Sequence, residues 1–316
     1  MTHVFNRRHL ALFLPLSLLG LLLTGCGEAE EELVSAVQME VTELADVGFA
    51  QPWGIAVDLE AGVYLVSNMN GQLGEETGNG FISRVSPDGE VLDLNWIDMT
   101  GTPRALNSPA GMAIRGDSLF VADLGCVSIF DRETGEDLGV TCLDDVGIIT
   151  DIDVGPEGSL FVADSGLEFQ NGELVATGSD AIYRIVTAEG RQGSTISSGE
   201  ELGNPRSLQV GPRGIFVTTS GTGELYALTP DGDQTSIFPP SDQALGGLTF
   251  LPDGGFVFSS ITDASLTMVD AGGQVIDLAE GVPDAQGLAY DPEWNRILVA
   301  IPSEDRVLFL DMPADP

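Results

Sequence analysis

The stretch NSPAGMAIRGDSLFVADLG, residues 107–125, reads as two short strands joined by a tight turn. An apolar run follows Pro-x-Gly, and Gly116-Asp117 supplies the reversal. A second apolar run then returns and ends on Asp123. Such a hairpin cannot bury its own apolar face, so its meaning depends on whether the chain repeats it.

It does. Similar segments begin QPWGIAVD, SPAGMAIR, IITDIDVG, NPRSLQVG, LGGLTFLP and AQGLAYDP. Anchored at the Gly of Pro-x-Gly, they fall at Gly54, Gly111, Asp151, Ser207, Gly247 and Gly287. The spacings are 57, 40, 56, 40 and 40 residues, a period of 40 with two insertions. Each unit offers four strands. Strand A carries the anchor, and a turn such as GPEG (155–158), GPRG (211–214) or LPDGG (251–255) leads to an apolar strand B. Strand C, as in FISRVS or AIYRIV, runs into a second turn such as SPDG (86–89) or TPDG (229–232) before strand D. Asp-Gly and Pro-Asp-Gly favour the positive φ that hairpin turns need. Regular short strands separated by turn signals predict an all-β chain. Four strands per unit of about 40 residues predict a six-bladed β-propeller.

The sixth unit stops after its strand C, RVLFLDM (306–312). The missing outer strand has a candidate at the other end, LVSAVQMEVTEL (33–44), which would close the ring beside Val307–Leu310 and remove an open edge. The sequence therefore divides into a signal segment (1–25), an acidic tether (26–32) and one propeller domain (33–316).

The first 25 residues have a basic start, Arg7-Arg8, and an apolar run of 14 residues from Leu10 to Leu23. That run suits a signal peptide better than a membrane span. It ends Leu23-Thr24-Gly25-Cys26, which resembles a bacterial lipobox. The resemblance implies a lipoprotein with Cys26 lipidated as the first mature residue. The expectation is an exported protein held to a bacterial membrane. Gly27 after the Cys implies the periplasmic side of the outer membrane where the cell has one.

All twelve basic residues are Arg, and both His lie in the signal segment. The chain after residue 25 carries 49 acids, 10 bases and no imidazole, net −39. Such a surface repels nucleic acid. Without His or Lys there is no Ser-His-Asp triad, Cys-His dyad, Schiff-base Lys or His metal site. Carboxylate, hydroxyl, Arg and oxygen-ligand metal chemistry remain, and calcium is the metal that suits them. Cys126 and Cys142 flank a turn centred on Thr134, so antiparallel pairing sets them opposite each other. In an exported protein this predicts a cross-strand disulfide, against two free thiols.

The whole chain after the signal is similar to the SMP-30/gluconolactonase group, with NHL-type repeats as relatives. The likeness rests on VSNMNG…GNGFISRVSPDGEVL (66–92), NSPAGMAI…SLFVADL (107–124) and ITDIDVGPEGSLFVADSG (149–166). It implies a divalent metal, usually calcium, at one mouth of the channel, held by a Glu entering blade one and by Asn or Asp at inner-strand starts. It also implies lactone hydrolysis there. This chain departs from that pattern. Ala50 stands where the Glu is expected, and Ala110, Thr150 and Arg206 where Asn is expected.

Strand A starts at one face and B returns to it, so the residues before A and after B share the mouth. Those before the anchors are Trp53, Ala110, Thr150, Arg206, Gly246 and Gln286, and those ending strand B include Asn68, Asp123 and Asp164. The mouth candidates are thus Trp53, Asn68, Asp123, Asp151, Asp164, Arg206 and Gln286. The long B–C loops of blades one (68–80) and three (164–180) predict a lid on one side. Asp123 and Asp164 either bind calcium with Asp151, or hydrogen-bond the backbone beside them. Trp53 either stacks on a sugar-like ring or plugs the channel. Arg206 is expected to pair with Asp151 or Asp153. Two functions follow: a membrane-anchored binding module holding a small molecule or a protein at its mouth, or a calcium-dependent lactonase or ester hydrolase with a shifted ligand set.

Overall fold

The computed structural model describes residues 39–186, 193–211 and 213–313. The signal segment, Cys26 and the acidic tether lie outside the described residues, as do residues 33–38 of the closing segment.

Six four-stranded antiparallel sheets are arranged as blades around an axis. Their innermost strands are Pro52–Asp58, Pro109–Arg115, Ile149–Val154, Pro205–Gly211, Leu245–Phe250 and Gly287–Asp291. Each packs on the next, and Gly287–Asp291 packs back on Pro52–Asp58, which closes the ring. Five blades run in order from A to D. In blade three an additional hairpin, Leu167–Gln170 with Glu173–Ala176, is inserted between strands B and C.

Blade six is completed from the N-terminal end. Glu40–Leu44 pairs antiparallel with Arg306–Asp311, setting Val41 opposite Leu310 and Leu44 opposite Val307. Leu44 is buried among Phe49, Val307 and Phe309. Cys126 and Cys142 are register partners across strands C and D of blade two, and a disulfide joins them.

The anchor glycines have a steric cause. A Cβ at Gly54 would stand against the Ala110 carbonyl of the next inner strand, and one at Gly287 against the Trp53 carbonyl. Neighbouring inner strands approach too closely near the axis for a side chain there.

Hydroxyls of the two inner strands stitch neighbouring blades together. Ser67 Oγ donates to Ala110 O (2.7 Å), Thr150 Oγ1 to Pro205 O (3.1 Å), Thr218 Oγ1 to Gly246 O (2.5 Å) and Ser259 Oγ to Ala285 O (2.7 Å). Each bond crosses from one blade to the next. A net hydrogen bond of this kind contributes about 1 kcal/mol. The apolar core lies between the blades, in clusters that span adjacent sheets.

Candidate functional site

The six residues that precede the anchors form one layer across the channel. Trp53 (blade one), Arg206 (blade four) and Gln286 (blade six) are large, while Ala110, Thr150 and Gly246 are small. Blades one and four face each other across the axis. The small residues leave room for the Arg206 guanidinium to reach over the Trp53 indole, 4.1 Å from the ring centroid. Arg206 Nε donates to Gln286 Oε1 at 2.8 Å, and Gln286 Nε2 donates in turn to Asp284. Burial lowers the Arg206 pKa to about 10, opposed by the Asp284 charge. Stacking on the indole compensates part of that burial.

This layer separates two spaces. Below it is a narrow cavity of about 50 Å³ lined by Trp53, Asp151, Asp153, Arg206, Gln209 and Gln286, among others. That is room for a water or two. Above it a cleft of about 220 Å³ has Trp53 as its floor. Met69, Leu73, Leu174 and Pro302 give it apolar walls, and Gln51, Gln72, Asp284 and Ser303 give it polar groups. Leu174 belongs to the inserted hairpin of blade three, and Met69 to Leu73 belong to the long loop of blade one. Both insertions therefore contribute to the cover of the mouth. Trp53 is only 6% exposed, so it acts as a plug between the two spaces.

The acidic candidates behave differently. Asp151 occupies the anchor position of blade three. Its Oδ2 accepts from Ser207 Oγ (2.5 Å) and Leu208 N (2.9 Å), and its Oδ1 from Ile152 N (2.9 Å). Asp153, two residues on and on the same side of the strand, accepts from Val210 N (2.7 Å) and Val154 N (2.7 Å). The two carboxylates thus take up alternate N–H groups of the neighbouring inner strand. Burial pushes their pKa values up to about 7 for Asp151 and about 6 for Asp153, although the N–H donors pull the other way.

Asp123 accepts from Asn107 N and Ser108 N, and Asp164 from Gly147 N and Gly166 N. Each carboxylate ties the end of strand B to the loop that enters strand A of its own blade. Desolvation raises both pKa values, Asp164 to about 6. Asn68 is fully buried, accepting from Ala50 N and donating to Val66 O and Ser83 Oγ.

The structure therefore brings Trp53, Asp151, Arg206 and Gln286 together around the channel. It turns Asn68, Asp123 and Asp164 away into hydrogen bonds with their own blades and entry loops. Arg206 does not form the expected ion pair with Asp151 or Asp153, because their oxygens serve backbone N–H groups of blades three and four and the Ser207 hydroxyl. Among the described residues no three His, Cys, Asp or Glu side chains converge. Asp123, Asp151 and Asp164 do not form one ligand set. Their oxygens are already engaged, and a guanidinium stands in the channel layer. The residues present do not fit a calcium ion. The pairing of Arg206 with Trp53 joins blades one and four across the channel and had no local signal in the sequence.

No protein-family profile matches the sequence, and no curated protein does either. Solved structures do resemble it. A gluconolactonase from Xanthomonas campestris superposes with a TM-score of 0.65 at 17% identity, over 87% of this chain and 90% of that one. Virginiamycin B lyase from Staphylococcus aureus gives 0.61 at 13% identity, over 87% of this chain and 100% of that one. A chain of a nidogen/laminin complex gives 0.56 at 16% identity, over 75% and 84%. The likeness shows the propeller fold, one shared by proteins of unrelated activity.

Proposed function

We propose that this chain is an exported binding module, tethered to a bacterial membrane through a lipid on Cys26, that holds a small molecule at its mouth. The lipobox-like Leu23-Thr24-Gly25-Cys26 supports the tether. The observation that carries the binding role is the closed layer of Trp53, Arg206 and Gln286. Side chains of blades one, four and six close the channel there, while a walled cleft remains above Trp53. At about 220 Å³ that cleft lies below the usual range of drug-sized sites, which favours a compact ligand with one apolar side.

Thermal unfolding of the full chain in detergent, with a panel of sugar lactones and their hydroxy acids, tests this reading. A ligand should raise the Tm of the wild type and fail to raise that of Leu174→Asp, a change on the exposed hairpin. Metal analysis should find calcium well below one equivalent. One tightly held calcium per chain, with lactone hydrolysis lost on its removal, would overturn the reading in favour of the hydrolase. Palmitate labelling that survives in Cys26→Ala would overturn the tether.

A further inference from the structure

A space larger than the mouth cleft lies elsewhere among the described residues. Between blades four and five a cleft of about 610 Å³ opens toward the face that carries the A–B and C–D turns. That is within the range of small-molecule sites. Its walls are apolar. Phe216 of blade four and Phe256 of blade five face each other at 5.9 Å between ring centroids. Phe250 meets Phe216 at 5.0 Å, and Phe238 meets Phe258 at 5.0 Å. Five of the chain's 14 Phe thus gather at one of six blade junctions. At the rim, Ile237 and Val275 are 40% and 52% exposed. The turn glycines Gly254 and Gly273 leave open space where a side chain would stand.

One cation lines this cleft, Arg213, on the turn between strands A and B of blade four. Among the described residues it has no ion pair, hydrogen bond or ring contact. The other eight described arginines each have one. In a chain of net charge −37, an arginine without a carboxylate partner among the described residues stands out against a large excess of acids. Asp270, the acid in the lining, already accepts from Gln274 N at its own turn.

The geometry points to a binding site for a monoanionic amphiphile, a free aliphatic carboxylate whose chain lies among Phe216, Phe238 and Phe256 and whose head group meets Arg213. A guanidinium presents a planar fork that matches one carboxylate. A doubly charged phosphate would need more positive charge than so acidic a surface offers. This site is separate from the mouth and does not depend on what binds there.

Isothermal titration of the full-length protein with dodecanoate, below its micelle-forming concentration, tests the assignment. One saturable site per chain is expected. Arg213→Gln, at an exposed turn, should weaken it about tenfold, the value of one charged hydrogen bond. Val275→Trp, at the exposed rim, should weaken it by a similar factor through steric filling. Both variants should keep the wild-type melting temperature. Dodecanol should bind the wild type no more tightly than dodecanoate binds Arg213→Gln. Four results would overturn the site: no saturable binding, dodecanoate binding insensitive to both substitutions, dodecyltrimethylammonium binding as tightly as dodecanoate, or a dimer by light scattering that Val275→Trp dissociates, which would make a second copy the occupant.

Discussion

Blade four is joined to its two neighbours by opposite chemistries. On one side, Asp151 and Asp153 of blade three reach across to Leu208 N and Val210 N, and Ser207 adds a hydroxyl. On the other side, phenylalanine rings meet edge to face, and the inner strands share one side-chain bond there, from Phe250 N to Gln209 Oε1 at 3.2 Å. At the carboxylate junction hydrogen bonds fix the spacing of the inner strands. At the ring junction stiff rings in tilted contact fill a wedge incompletely and leave the cleft. One repeat therefore tolerates two solutions to the same packing problem. Tight bonding makes one junction sensitive to protonation, and loose packing leaves the other with a cleft.

Truncation at the ring junction should have the largest effect. Phe256→Ala removes a buried ring and should cost about 3–5 kcal/mol by denaturant unfolding, with little dependence on pH. A cost below about 1 kcal/mol would mean that the rings line the cleft without holding the blades.

The carboxylate junction should respond to pH instead. The Asp151 pKa is raised in the fold to about 7, above the ordinary value of about 3.9. A raised acid favours the folded state fully below pH about 4, and that contribution is lost as pH climbs through about 7. Each unit of difference is worth about 1.4 kcal/mol. Asp151→Asn keeps an acceptor for Leu208 N and does not titrate. The stability of the wild type relative to Asp151→Asn should therefore fall between pH 4 and 7 and stay level above. Parallel curves for the two proteins would remove the contrast between the junctions.

The smallest effect sharpens the comparison. Thr218→Val deletes the one hydroxyl bond from strand B of blade four to Gly246 O, at the ring junction. It should cost about 1–2 kcal/mol, measured by thermal unfolding at one protein concentration, because the Gly246 carbonyl is left without that donor. A larger loss than that of Phe256→Ala would mean that polar bonds dominate both junctions.

Much of this architecture was legible in the order of residues. The six anchors, the closing strand and the Cys126–Cys142 pairing all follow from period, turn chemistry and antiparallel register, which are local rules. The residues of the channel layer could be named in advance, since each precedes an anchor. Their pairing could not, because which side chain crosses the channel depends on blades far apart in sequence. The targets of Asp151 and Asp153 were hidden for the same reason: the repeat fixes register within a blade, and nothing local fixes it between blades. The cleft draws its walls from six strands between Phe216 and Val275, so only the local density of Phe hinted at it.

The direction of the closing strand has a geographic consequence. Glu40 lies opposite Asp311, at the end of strand C, and the chain then runs toward the mouth as it reaches Leu44. The described chain thus enters its outermost strand on the turn side of the disc. The two clefts open on opposite faces of the same ring, the mouth cleft where the strand B ends meet the long loops and the phenylalanine cleft among the A–B and C–D turns. A solute reaching one therefore never crosses the path of a solute reaching the other, and the closed channel layer keeps the two doorways apart.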